Sequence, residues 1–180
     1  VDSDTSTNDA VVLAATGASG VVIDESNFDQ FVVQLEKVFI ELAQSIIRDG
    51  EGASKFVSVV VDSAVDSAEA VKVAYCIAES PLVKTALAAS DANWGRILAA
   101  IGRAGVDNLD VSKVSICLNG VLIVEMGGRA ASYSEQAGEQ AMAAEDITIQ
   151  VSLNRGTATE TVWTTDLTYE YVRINAEYRT

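Results

Sequence analysis

Apolar residues recur along this chain in two rhythms, one helical and one extended. Between Asn27 and Gly50, Phe28, Phe31, Val32, Leu35, Val38, Phe39, Leu42 and Ile46 keep a three-and-four spacing. Asp29, Gln30, Glu36, Lys37 and Glu41 fall on the other side. Arg48 in the last turn and Gly50 just beyond are stop signals. The pattern predicts a long amphipathic helix whose aromatic residues enter the core.

KFVSVVVDSA is a β-branched run that predicts a strand covered on both faces. Asp66, with Glu69 three residues on, predicts the capped start of a helix through SAEAVKVAYCIAE. Ser80-Pro81 restarts helix in SPLVKTALAAS, with proline where its missing N–H costs little. DANWGRILAAIGRAG predicts another helix, with Ser90 or Asp91 as its cap, Trp94 packing and Gly105 as its stop.

Extended patterns follow. VSICLNGVLIVEMGG reads as a hairpin turning at Asn119-Gly120, since both residues accept positive φ. SEQAGEQAMAA is a short helix, and ITIQVSLNRGTATETVW two strands around a glycine loop. Leu167, Tyr169 and Tyr171 alternate with Thr168, Glu170 and Val172, predicting a last strand that Ile174 and Tyr178 anchor almost to its end. Helices mixed with hairpins, without strict βα alternation, give an α+β layered domain spanning residues 1–180.

Composition narrows the chemistry. With 49% apolar residues in 180, the chain can bury a substantial core. Its apolar runs fall short of the roughly 20 residues that span a bilayer, so it reads as soluble, with no targeting segment. The net charge of −14 repels phosphate backbones and anionic membranes, which argues against both as partners. Histidine is absent, which excludes Ser-His-Asp, Cys-His and histidine-zinc chemistry. Cys76 and Cys117 sit singly in apolar settings and read as small core residues, as in a reducing cytoplasm. No metal site is expected.

Some stretches are more polar than secondary structure requires. DSDTSTND at 2–9 has a plain reading as a turn bonding its own backbone. In RDGEGASK, Glu51 stands between glycines that leave room for a ligand, although a solvated carboxylate is the simpler reading. SDANWGR and the terminal RINAEYRT complete the set. None is a strong motif alone.

In this order, DSDTSTND, DGEGASK, SPLVKTA, NWGRILAAIGRAGVD and WTTDLTYEYVRINAEYRT resemble the C-terminal part of the ornithine acetyltransferase family, the glutamate N-acetyltransferases of arginine biosynthesis. The resemblance implies a self-processing precursor cut into α and β chains, with a new N-terminal threonine as nucleophile. That threonine takes acetyl from N-acetylornithine and passes it to glutamate by ping-pong. It also implies a layered αββα fold resembling N-terminal-nucleophile hydrolases with different connectivity, a cytoplasmic α2β2 heterotetramer, and no cofactor beyond acetyl-CoA as co-substrate where the enzyme is bifunctional.

Carried over by matching motif, Glu51, Asn175 and Thr180 are the expected substrate-binding residues; Asp4, Thr5, Thr7 and Asn8 read as support around them, a role that the resemblance does not itself assign. The nucleophile, the oxyanion-stabilising residues and a substrate lysine are expected upstream of Val1, so no catalytic residue is placed in this chain. On this reading the isolated residues are inactive. An N-terminal-nucleophile amide or peptide hydrolase, and a non-catalytic scaffold fragment, remain as alternatives.

Overall fold

β1 (Phe56–Ala64) organises the protein. The computed structural model describes residues 1–6 and 8–178. β1 pairs in parallel with β5 (Asp146–Ser152) and antiparallel with β6 (Ala158–Thr165). With β2 (Ser115–Leu118), β3 (Val121–Glu125) and β4 (Gly128–Arg129) they make a six-stranded sheet in the order β4-β3-β2-β5-β1-β6. Asn119 and Gly120 both take positive φ, so the hairpin between β2 and β3 closes as read from sequence.

One face of this sheet is the core. Val57, Val59 and Val61 lie in register with Ile147, Ile149 and Val151, and all are fully enclosed or nearly so. Helix α2 (Ser67–Ala78) lays Ala70, Val73, Ala74 and Ile77 over them. Asp66 caps it as expected, accepting from the Glu69 amide at 2.8 Å. α3 (Pro81–Ala88), α4 (Trp94–Gly102) and α5 (Glu135–Met142) complete the layer, where Val83, Leu87, Ile97, Leu118 and Met142 close on one another. Each such side chain contributes about 1.5–3 kcal/mol on burial. Trp94 packs as expected, but the α4 cap is Asn93, not Ser90 or Asp91. Ser90 is diverted into a positive-φ turn, and Asp91 instead accepts from the Asn93 amide group.

The other sheet face is open among the described residues, which corrects the expectation that β1 is covered twice. Ser58, Val60 and Asp62 are half-buried there, and Thr148 and Gln150 are exposed. A sheet with one helical layer is half of an αββα stack, and the α+β class holds. Cys76 and Cys117 are free and half-buried rather than sealed in the core. Among the described residues, no helix is long and apolar enough to cross a membrane.

Two further corrections concern the ends of the chain. The long helix forms, as α1 (Phe28–Arg48), but none of its residues is buried. Its aromatics therefore do not enter this core. It touches the body through β6, and a groove of about 510 Å³ lined by Val32, Leu35, Phe39, Ile40, Ala43 and Trp163 runs between them. Arg48 fixes its C-terminal end, gripping Asp146 with both guanidinium arms and lying 3.9 Å over the Phe56 ring.

The last segment is a helix, α6 (Tyr169–Glu177), not the expected strand. Thr168 caps it, accepting from the Tyr171 amide. Tyr171, Ile174 and Tyr178 share the helical spacing, while Arg173 bridges Glu170 and Glu177 on the solvent side. Tyr169 and Tyr178 are exposed and anchor nothing.

Candidate functional site

The site is built where α1 ends and α6 begins, far apart in sequence. After Arg48 the chain turns through Asp49 and Gly50 and enters Gly52 at a φ of +66°. A Cβ on Gly52 would stand 2.5 Å from the Tyr171 amide nitrogen, so only glycine lets α6 dock here. The Thr168 hydroxyl seals the contact by donating to the Gly52 carbonyl at 2.6 Å.

That docking brings two of the expected site residues together. The Asn175 side-chain amide donates to Glu51 Oε2 at 2.9 Å and to the Tyr171 carbonyl at 3.0 Å. Both side chains face solvent. Thr180, the third, lies outside the described residues, as does Thr7. A solvent-facing carboxylate steadied on one oxygen by a neutral amide can accept hydrogen bonds from a cationic group.

The segment 2–9 reaches this place through Asp2 rather than through Asp4 or Thr5. Asp2 Oδ2 accepts from the Tyr171 hydroxyl at 2.9 Å, and Ser3 reaches the Glu79 carbonyl. Asp4 and Thr5 line a recess of about 220 Å³ against Glu79, Trp163 and Thr164. The plain reading also has its part, because the Asp4 amide bonds Asp2 and the Asn8 amide bonds Ser6. Burial works to raise the Asp2 pKa, but the Asp4 amide and the Tyr171 hydroxyl outweigh it and hold it low. The Tyr171 hydroxyl is pushed up by burial, by its bond to Asp2 and by the surrounding charge of Asp2, Asp4 and Glu51.

Sequence reasoning missed the groups that hold the site in place. Asp166 is buried and accepts from the Ser54 and Lys55 amides at 2.8 and 3.0 Å, and from the Ser54 hydroxyl. It therefore organises the same loop that presents Glu51. Lys55, though in the EGASK motif, points away and donates to the Met142 and Ala144 carbonyls at the end of α5. Lys84 is buried beside Thr164 and Thr165. A usable signal was the run TTDLT, whose threonine and aspartate side chains serve as cap and loop anchor. Its alternation looked like strand. Among the described residues no cluster of side chains is suited to hold a metal ion.

The model of the ArgJ family matches residues 1–180. The chain is 53% identical to the "Arginine biosynthesis bifunctional protein ArgJ" of Pseudomonas syringae pv. tomato and 52% identical to that of Pseudomonas fluorescens. In both cases all of this chain is covered and 45% of the relative, so it spans about half the length of the curated relatives it matches. A crystal structure of the ArgJ protein of Bacillus halodurans superposes with a TM-score of 0.92 at 38% identity, covering 99% of this chain and 84% of that one. On a family match along its whole length, this chain belongs to the ArgJ family.

Proposed function

We propose that this chain is the β-chain portion of a glutamate N-acetyltransferase that moves acetyl from N-acetylornithine to glutamate. The observation that carries this reading is the Glu51–Asn175 pair, assembled from distant segments and held at 2.9 Å in a chain matched to the family throughout.

A threonine hydroxyl supplied by a part of the enzyme outside this chain attacks the acetyl carbonyl. The ornithine amine leaves with a proton, and an acetyl ester remains. The glutamate amine then attacks that ester, and the threonine recovers its hydroxyl. Glu51 receives the side-chain ammonium of N-acetylornithine, and Asn175 holds the Glu51 carboxylate in place through the side-chain NH2 that also donates to the Tyr171 carbonyl. Thr180 completes the binding set. Attack and oxyanion stabilisation fall to that threonine and to the partner α chain, so residues 1–180 by themselves are inactive. The uncovered stripe of α1 and the open sheet face are where the rest of this cytoplasmic enzyme, an α2β2 assembly, covers the chain.

Trapping the acetylated intermediate of the complete processed enzyme tests the reading. Discharge by glutamate, with N-acetylglutamate as product, is expected. Discharge by water alone would make the enzyme a hydrolase, and failure to acetylate any threonine would make this chain a scaffold. An arm with acetyl-CoA as donor decides whether it serves as a second substrate.

A further inference from the structure

Lys84 has no part in the reaction just described, yet its placement is costly. It sits on α3 among Val83, Ala86 and Leu87, in the core layer, and is 2% exposed. A leucine or methionine would fill that place without the penalty of taking a cation out of water. The amine is compensated by a particular set of acceptors. Its Nζ donates to Thr164 Oγ1 at 2.8 Å, to the Thr165 carbonyl at 2.5 Å, and lies 3.4 Å from Thr165 Oγ1. The Lys84 carbonyl accepts from the Leu167 amide at 3.1 Å. One residue thus grips the end of β6 on both sides of Asp166.

What lies beyond that grip is the binding loop. Asp166 holds the Ser54 and Lys55 amides, and Thr168, two residues on, holds the Gly52 carbonyl and caps α6. The charged groups facing the amine are Asp166 from the turn and Asp2 from the N-terminal segment. Asp2 in turn bonds Tyr171 on α6. Thr164 also ties this grip to the end of α2 by donating to the Ala78 carbonyl at 3.1 Å. The routes through Asp166, Thr168 and Asp2 end on the loop that carries Glu51 or on the helix that carries Asn175.

We propose that Lys84 is a positioning residue for substrate binding: its buried ammonium draws the 164–167 turn onto α3 and, through Asp166 and Thr168, sets where Glu51 and Asn175 meet. This rests on the proposed role of that pair. Lys84 itself does not reach the site. Its effect is on where the Glu51 carboxylate stands, and so on affinity for the acetyl donor rather than on the acetyl-transfer step.

The test is made on the complete processed enzyme with Lys84→Met, an unbranched side chain that matches the lysine stem as far as Cε and lacks the donors. KM for N-acetylornithine is expected to rise about tenfold while kcat changes less than about twofold, the pattern of lost ground-state binding. Hydrogen exchange gives a second readout that needs no activity. The Ser54 and Lys55 amides should lose protection while those of Val57 to Val61 keep theirs. If Lys84→Met does not fold, Thr164→Val removes one acceptor of the amine and should move both readouts the same way by a smaller amount.

An unchanged KM, a fall in kcat alone, or protection lost evenly through β1 and the loop would overturn the proposal. A wild-type enzyme without acetyl transfer would overturn the function instead, and the exchange pattern would then judge Lys84 by itself.

Discussion

Helices α1 and α2 both carry apolar stripes, the sharper one on α1, and meet opposite fates. In α2, Ala70, Val73, Ala74 and Ile77 are 0% exposed against the sheet. In α1, Phe28, Leu42 and Ile46 are 55%, 56% and 63% exposed, and the helix meets the body through β6 and the Arg48 anchor. An amphipathic pattern states that a helix has a face to bury; it does not say which polypeptide covers it. For α2 the cover is β1 and β6. For α1 it is not among the described residues, and a chain that spans 45% of its relatives' length leaves room for it elsewhere.

The contrast can be broken in measurable ways. The largest effect is expected for Ile77→Ala, which should cost about 2–5 kcal/mol by urea denaturation, whereas Leu42→Ala should stay within about 0.5 kcal/mol in the isolated chain. In the complete enzyme the Leu42 variant should become costly too. A Leu42 variant as damaging as the Ile77 one in isolation would mean that α1 is already packed.

Next is the pH response of Lys84, whose pKa burial pulls down from 10.5 to about 8, against the favourable charges of Asp166 and Asp2. Between those values the unfolded chain holds the proton that the folded chain has released. Stability from this group therefore rises as pH goes from about 8 to 10.5 and is flat below. The wild type should gain on Lys84→Met across that window in denaturation midpoints; a gap that narrows would reverse the assignment.

A smaller change is expected for Asn175→Ala, which should raise KM for the acetyl donor about fivefold, the worth of one solvent-exposed hydrogen bond of about 1 kcal/mol, and leave the melting temperature nearly unmoved. Smallest is Arg48→Ala. It frees the end of α1 from Asp146, so proteolysis within α1 should quicken while the denaturation midpoint of the sheet stays put.

These regions also show what the sequence made legible. Local chemistry carried far: the Asn119-Gly120 hairpin, the Asp66 cap, the Ser80-Pro81 helix start and the extent of α1 are all where the residues say. What failed was context. Leu167, Tyr169 and Tyr171 fit a strand by alternation, but Thr168 as cap, the Glu170–Arg173–Glu177 ladder and the spacing of Tyr171, Ile174 and Tyr178 favour helix, and docking on Gly52 secures it. The meeting of Glu51 with Asn175 could be named from the family resemblance, yet no spacing rule joins residues 124 apart. The supports of that meeting, Asp166 and Lys84, look in the sequence like ordinary charges on ordinary elements, because only the fold reveals that they are buried.

The proposed role of Glu51, receiving the cationic side chain of the acetyl donor, is tested most directly by a comparison of donors with and without that charge. Acetylation of the complete enzyme would be measured with N-acetylornithine and with N-acetylnorvaline, which lacks the side-chain ammonium, in wild type and in Glu51→Gln. The substitution should weaken use of N-acetylornithine by at least about tenfold and leave N-acetylnorvaline unaffected, erasing the preference between them. An undiminished preference for N-acetylornithine in Glu51→Gln would contradict the account.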